Sequence, residues 1–147
     1  MSKALSRIRD GASLATIQSV REGDRKKKTD LPVVLFSGEF SSREDSSIIS
    51  HSGLIVLDFD HIDIEAYKNI LCTDDYILAC WISPSGDGLK ALMRISNPER
   101  HRDHFRAIVQ YFDKQYNLEV DPSGANESRA CFESHDAHIC IKEDCKV

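Results

Sequence analysis

Leu54-Ile55-Val56-Leu57-Asp58-Phe59-Asp60 is a hydrophobic run that closes on two acids one residue apart. Read as a strand from Gly53 to Asp60, it puts both carboxylates on one face, roughly 6.5 to 7 Å apart. Two negative charges that close repel unless something positive lies between them. A divalent metal held by hard oxygen ligands is one solution; a strand end running into solvent is the plainer one.

Working outward, Asp63 is placed to cap a helix reaching about Leu71, with Ile64, Tyr67 and Leu71 spaced for burial. A second strand is expected over Tyr76 to Ser83. Pro84-Ser85-Gly86-Asp87-Gly88 makes a tight connection, and a third strand follows from about Leu89 to Ser96. A long helix is predicted from about Pro98 to Tyr116, where Phe105, Ile108, Val109, Phe112 and Tyr116 form a stripe. After the polar loop Asp121 to Glu127, a last strand is expected over Arg129 to His135. The order is β-α-β-β-α-β, the split unit of ferredoxin-like and RNA-recognition-motif-like folds.

That topology makes the sheet antiparallel, with strands one and three as central neighbours. It brings Asp58 and Asp60, the segment Ser85 to Lys90, and the segment Asp121 to Arg129 to one edge. Ile55, Leu57 and Phe59 share one parity, as do Leu89, Ala91, Met93 and Ile95. Lys90 and Arg94 point the other way, and Arg129, Glu133 and His135 share a parity on the last strand. One face is therefore expected under the helices and the other open. A structural salt bridge from Lys90 to Asp58 or Asp60 is the bland reading of that open face; a metal-nucleotide site is the sharper one.

Upstream, a helix is expected around Ser13 to Arg21, a loop from Glu22 to Asp30, and a short buried strand over Val33 to Phe36. Ser41 to Ser50 reads as loop or short helix. Residues 1–52 thus form an N-terminal α/β extension to a palm-like unit at 53–140, in one α+β domain spanning 1–147. The net charge of −5 argues against a strongly basic nucleic-acid coat protein. The one basic run, Arg25-Lys26-Lys27-Lys28, is either a solvated loop or a phosphate contact. No apolar run approaches the roughly 20 residues of a membrane span. Five cysteines and no secretion signal point to reduced thiols in the cytoplasm. Cys131, His135, His138, Cys140 and Cys145 cluster late in the chain, at spacings that match no strong zinc pattern.

Three segments together resemble the archaeo-eukaryotic primase superfamily: Leu57-Asp58-Phe59-Asp60, Ser83-Pro84-Ser85-Gly86-Asp87-Gly88-Leu89-Lys90, and Val120-Asp121 followed by Ser128-Arg129. They look most like the primase-polymerase branch at the N-terminus of virulence-associated-E-type proteins of phages and mobile elements. The resemblance covers roughly residues 25 to 140. It implies a DNA primase or primase-polymerase that joins nucleoside triphosphates on a single-stranded DNA template, with a helicase domain or other replication protein as partner. It implies that Asp58, Asp60 and Asp121 are catalytic and bind two Mg²⁺ or Mn²⁺ ions. Ser83, Ser85, Gly86, Gly88, Lys90 and Arg129 are then the nucleotide-binding residues. Lys90 stands where the superfamily usually has histidine, as is common in the virulence-associated-E branch. Lys26, Lys27, Lys28 and Arg94 are the expected DNA contacts.

The chemistry is self-consistent, because nucleotidyl transfer needs carboxylates that bridge divalent ions and cations facing the leaving pyrophosphate. For the glycines, a hairpin turn needing positive φ is the alternative. Two other functions compete. A haloacid-dehalogenase-type phosphohydrolase would use Asp58, Asp60, Ser83 and Lys90 in the same order. Ile62, however, stands where that family expects a small hydroxyl residue, and the β-β hairpin breaks its repeated β-α pattern. A non-catalytic nucleic-acid-binding module is the third reading, although the open face lacks a base-stacking aromatic pair.

Overall fold

A computed structural model describes residues 1–147. In chain order the elements are α1 (Ser2–Asp10), α2 (Leu14–Arg21), β1 (Val33–Val34), β2 (Gly38–Phe40), β3 (Ile48–His51), β4 (Leu54–Phe59), α3 (Ile64–Thr73), β5 (Ile77–Ile82), β6 (Leu89–Arg94), α4 (His101–Tyr116), β7 (Cys131–Phe132) and β8 (Cys140–Ile141). Short 3₁₀ turns lie at Arg25–Asp30, Asp45–Ser47, Pro98–Arg100 and Pro122–Ala125. No helix is long and apolar enough to cross a membrane.

The fold is α+β with antiparallel sheets. The main sheet has the order β4-β6-β5-β8, and every pairing in it is antiparallel. The helix boundaries follow local chemistry. The Asp63 carboxylate accepts from Ala66 N–H at the start of α3. Asn97 does the same for Glu99 N–H ahead of α4, and Asn117 ends α4 in a left-handed conformation. Such caps satisfy backbone groups that a helix end leaves unpaired.

On one face, Ile55, Leu57, Phe59, Leu89, Ala91 and Met93 pack with Leu71 of α3 and with Phe105, Ile108 and Phe112 of α4. This is the parity expected from period two. The opposite face is not open. Leu54, Val56, Leu78, Trp81 and Leu92 pack there with Leu5 and Ile8 of α1, Phe36 and Cys131. The reason lies in composition: residues 54–57 and 77–82 contain no charged residue, so both faces must be kept from water. A buried side chain of this size contributes roughly 1.5–3 kcal/mol, and an exposed Trp81-Leu92-Leu78 face would forfeit several such terms.

The strand expected at Arg129 to His135 is also corrected. Only Cys131–Phe132 is extended, and it pairs with β1 through Val33↔Phe132 and Val34↔Cys131, in a separate two-stranded sheet. Glu133 turns inward to Arg7 of α1 (2.5 Å). The fourth place in the main sheet is taken by β8 beside β5. Strand one of the split unit, β4, is therefore an edge strand rather than a central one. Its free edge is met by the loop after α4, where Asp121 N–H donates to Asp58 O at 2.9 Å. Upstream, residues 41–47 are the loop of a β2–β3 hairpin and include the 3₁₀ turn Asp45–Ser47, while residues 48–50 of the same stretch are strand in β3. The Val33–Phe36 strand shortens to two residues, and Arg25–Asp30 is a 3₁₀ turn rather than open loop.

Candidate metal and nucleotide site

The end of β4, the β5–β6 turn and the loop after α4 do meet. Asp121 joins β4 through the bond to Asp58 O. Ile62 N–H donates to Asp87 O at 3.1 Å, and Gly88 passes so close to Phe59 O that a Cβ there would lie 2.4 Å from it.

Within this junction the acids have unequal surroundings. Asp58 and Lys90 are direct register partners across β4 and β6. They are 8% and 6% exposed, and Lys90 Nζ donates to Asp58 Oδ1. The second oxygen, Oδ2, accepts from Arg129 Nη2 at 3.3 Å. Burial works to lower the Lys90 pKa, but the fields of Cys131 and Asp58 and the hydrogen bond to Asp58 outweigh it and hold it above the usual lysine value. Lys90 is thus the buried partner of Asp58 rather than a cation on an open face.

Asp60 has no such partner. Burial raises its carboxyl pKa, and the fields of Asp58 and Asp121 raise it further against the opposing pull of Lys90. Asp121 is held differently. Burial opposes its ionisation, yet its Oδ1 accepts from Ser123 N–H at 2.7 Å and from the Ser123 hydroxyl. Together with the field of Arg129, these bonds keep the carboxyl below the usual aspartate range.

The Ser83–Lys90 turn is held by its own backbone. Ser83 N–H donates to Gly88 O at 2.9 Å and Gly86 N–H to Ser83 O at 3.0 Å. Gly86 has a φ of 80°, the conformation glycine adopts at least cost. Arg21 of α2 lies over the turn and donates to Ser83 O (3.1 Å) and His135 O (2.9 Å). The Ser83 hydroxyl is buried without a partner. Asp87 pairs with His61 at 2.9 Å. Burial raises the Asp87 pKa, but the Ser85 hydroxyl and His61 bring it below its ordinary value.

The expected DNA contacts divide between two places. Lys26, Lys27 and Lys28 lie on the 3₁₀ turn before β1. Lys28 Nζ stands 5.7 Å from the Phe132 ring centroid, next to Cys131, which borders Lys90. Lys27 is near Asp24 (3.9 Å). Arg94 is four residues along β6 from Lys90, roughly 13 Å away, and points to Asp144 at 3.4 Å. It does not join the site.

No three His, Cys, Asp or Glu side chains are gathered around a common point. This holds for Asp58, Asp60 and Asp121, and for the late group Cys131, His135, His138, Cys140 and Cys145. All five cysteines are free thiols, and burial pushes Cys131 up to about 11.

Three contributors carried no signal that the sequence reading used. Arg43, on the β2–β3 turn, lines a polar pocket with Arg129. Arg21 locks the glycine turn, and Ser123 holds Asp121. Arg43 was findable as the one Lys or Arg between Lys28 and Lys68.

No curated protein and no solved structure matches the chain. A family model described as BT4734-like, N-terminal domain, matches residues 26–140. That span includes Lys26, Lys27 and Lys28 of the basic run, the β4 acids, the glycine turn, Asp121 and Arg129, and the chain belongs to the BT4734-like N-terminal domain family.

Proposed function

We propose that this domain is a template-directed nucleotidyltransferase of the primase-polymerase type, working at the exposed end of β4 with Mg²⁺ or Mn²⁺. The observation that carries the reading is the charge imbalance at Asp60. It lies within the fields of Asp58 and Asp121, its pKa is raised, and no cation of the chain pairs with it. A hard divalent cation is a ligand that relieves such repulsion.

The donor set fits unevenly. Asp60 and Asp121 suit a divalent cation. Asp58 already serves Lys90 and Arg129 with its two oxygens, so a second ion needs Asp58 to give up one of these partners. When bound, the metal supplies the charge that eases loss of the attacking 3′-hydroxyl proton and departure of pyrophosphate. The protein supplies the rest. Ser123 fixes the Asp121 carboxylate, Lys90 and Asp58 make a rigid floor, and Arg129 places positive charge beside the acids where the leaving group becomes negative. The new bond joins the 3′-oxygen to the α-phosphorus as the bond between the α-phosphorus and the bridging oxygen to the β-phosphate breaks.

The sheet's antiparallel order gives no support to the phosphohydrolase alternative, which relies on repeated β-α units. Incubation with labelled nucleoside triphosphates and single-stranded DNA separates the readings. Oligomeric product supports nucleotidyl transfer, release of inorganic phosphate from a generic phosphoester supports the hydrolase, and DNA binding without turnover supports a binding module.

A further inference from the structure

Beside the acids lies a pocket of about 250 Å³ lined by Arg43, Ser123, Asn126, Ser128, Arg129 and Ala130. No acid lines it, and two guanidinium groups do. Arg43 comes from the β2–β3 turn, far away in sequence, and a specific clamp brings it here. Asp45 Oδ1 accepts from Ser128 N–H at 2.8 Å and from the Ser128 hydroxyl at 2.6 Å. Asp45 Oδ2 accepts from Arg102 at 3.1 Å. The clamp ties the hairpin turn to the segment that carries Arg129. It also occupies the acid two residues from Arg43, so Arg43 stays exposed and takes no part in the chain's ion pairs.

Arg129 is only partly satisfied. Its Nη2 reaches Asp58, while its Nε is buried with no partner. A guanidinium offers five donors, and the one side-chain partner that Arg129 has is Asp58, through Nη2. The Asn126 side chain is exposed at the rim. Two guanidiniums in a pocket that no carboxylate lines, next to the free Asn126 amide, select a planar-recognised oxyanion, and phosphate is the anion that arginine forks match.

We infer that Arg43 and Arg129 form a phosphate subsite that takes the polyphosphate tail of a nucleoside triphosphate. The inference rests on the nucleotidyltransferase reading for the identity of the nucleotide. Size and position support the tail rather than the whole molecule. The volume is below the roughly 300–1,000 Å³ of pockets that enclose a complete small ligand. Ser123 lines the pocket and bonds to Asp121, so phosphates held here lie alongside the acids.

The test uses the full chain, inorganic tripolyphosphate without divalent metal, and a short single-stranded oligonucleotide, measured by calorimetry. Arg43→Ala should weaken tripolyphosphate binding about tenfold or more, as expected for loss of a charge-assisted contact. Arg43→Lys should recover part of it. Because Arg43 is exposed and unpaired, the thermal midpoint of the ligand-free variant should match wild type, which excludes misfolding as the cause. Unchanged tripolyphosphate affinity in Arg43→Ala overturns the inference. So does a loss confined to the oligonucleotide, which would assign Arg43 to a nucleic-acid backbone. Arg43-dependent tripolyphosphate binding in a protein that makes no polymer would keep the subsite and reject the polymerase reading. Polymer synthesis with Arg43-independent binding would do the reverse.

Discussion

Asp58 and Lys90 face each other across β4 and β6 and form an ion pair beneath the N-terminal elements, with Arg129 on the second carboxylate oxygen. The pair lies on the sheet face that α1 and β7 cover, so the N-terminal segment both completes the core and sets the dielectric around the acid. Two cations on Asp58 and none on Asp60 give adjacent carboxylates on one strand end different tasks.

Lys90→Met should destabilise the protein by about 3–5 kcal/mol, because it leaves a buried carboxylate with only Arg129. Adding Asp58→Asn to that variant should recover a substantial part of the loss. Urea unfolding of the two single variants and the double variant measures this. Additive losses would show that the two side chains do not act as a pair.

Asp60 should behave in the opposite sense. Its folded pKa lies above its unfolded value, so its stabilising contribution is present at pH below about 3.9 and is lost as pH rises through the folded pKa. Asp60→Asn should therefore raise the thermal midpoint at pH 7 without metal. Mn²⁺ should raise the wild-type midpoint and leave that of Asp60→Asn nearly unchanged. A variant less stable than wild type at pH 7 would mean that Asp60 is a satisfied structural group.

His51 and His101 form a chain whose tautomers are fixed by their outer partners. Gly53 N–H donates to His51 Nδ1 (2.9 Å), so His51 carries its proton on Nε2 and donates to His101 Nδ1 (3.0 Å). His101 Nε2 then donates to Gly124 O (3.2 Å), in the turn that follows Asp121. Burial and the neighbouring His101 lower the His51 pKa. The folded value is below the unfolded value of about 6.5, so stability is complete above that pH and is lost as pH falls through the folded pKa. Nitrogen-15 spectra should show His51 as the neutral Nε2–H tautomer at pH 7.5, with that N–H bonded to His101 Nδ1. Protonation of His51 above pH 6.5 would refute the chain.

Gly88→Ala places a methyl group 2.4 Å from Phe59 O and should cost about 1–3 kcal/mol by overpacking. Gly23→Ala, with no atom within 4 Å of its Cβ, tests φ strain alone and should cost less. Equal losses measured by thermal unfolding would mean that the turn can move away from β4.

The half of the fold built on alternation was legible. Ile55, Leu57 and Phe59 and the matching residues of β6 report their face by period two, and Asp63 announces its cap. The other face was legible only in a signal that alternation hides: Leu54-Ile55-Val56-Leu57 and Ile77 to Ile82 are continuous apolar runs, which mark strands covered on both sides. The partner of β7 depends on a long-range pairing with Val33 and Val34 that no local pattern encodes. In the site, the meeting of the β4 end, the glycine turn and the loop at Asp121 was expected, but from a topology with β4 central and a strand at Arg129 to His135, neither of which the sheet contains. The burial of Lys90 and the arrival of Arg43 were not expected, since both depend on the N-terminal segment folding back over the sheet.

The most direct measurement of the central claim is synthesis on single-stranded DNA from labelled nucleoside triphosphates, with Mg²⁺ and Mn²⁺ compared. The account predicts metal-dependent phosphodiester product from wild type, and at least a hundredfold less from Asp60→Asn and Asp121→Asn, consistent with electrostatic contributions of this kind. Folded wild-type protein that makes no product with either metal, or full activity in both variants, would contradict it.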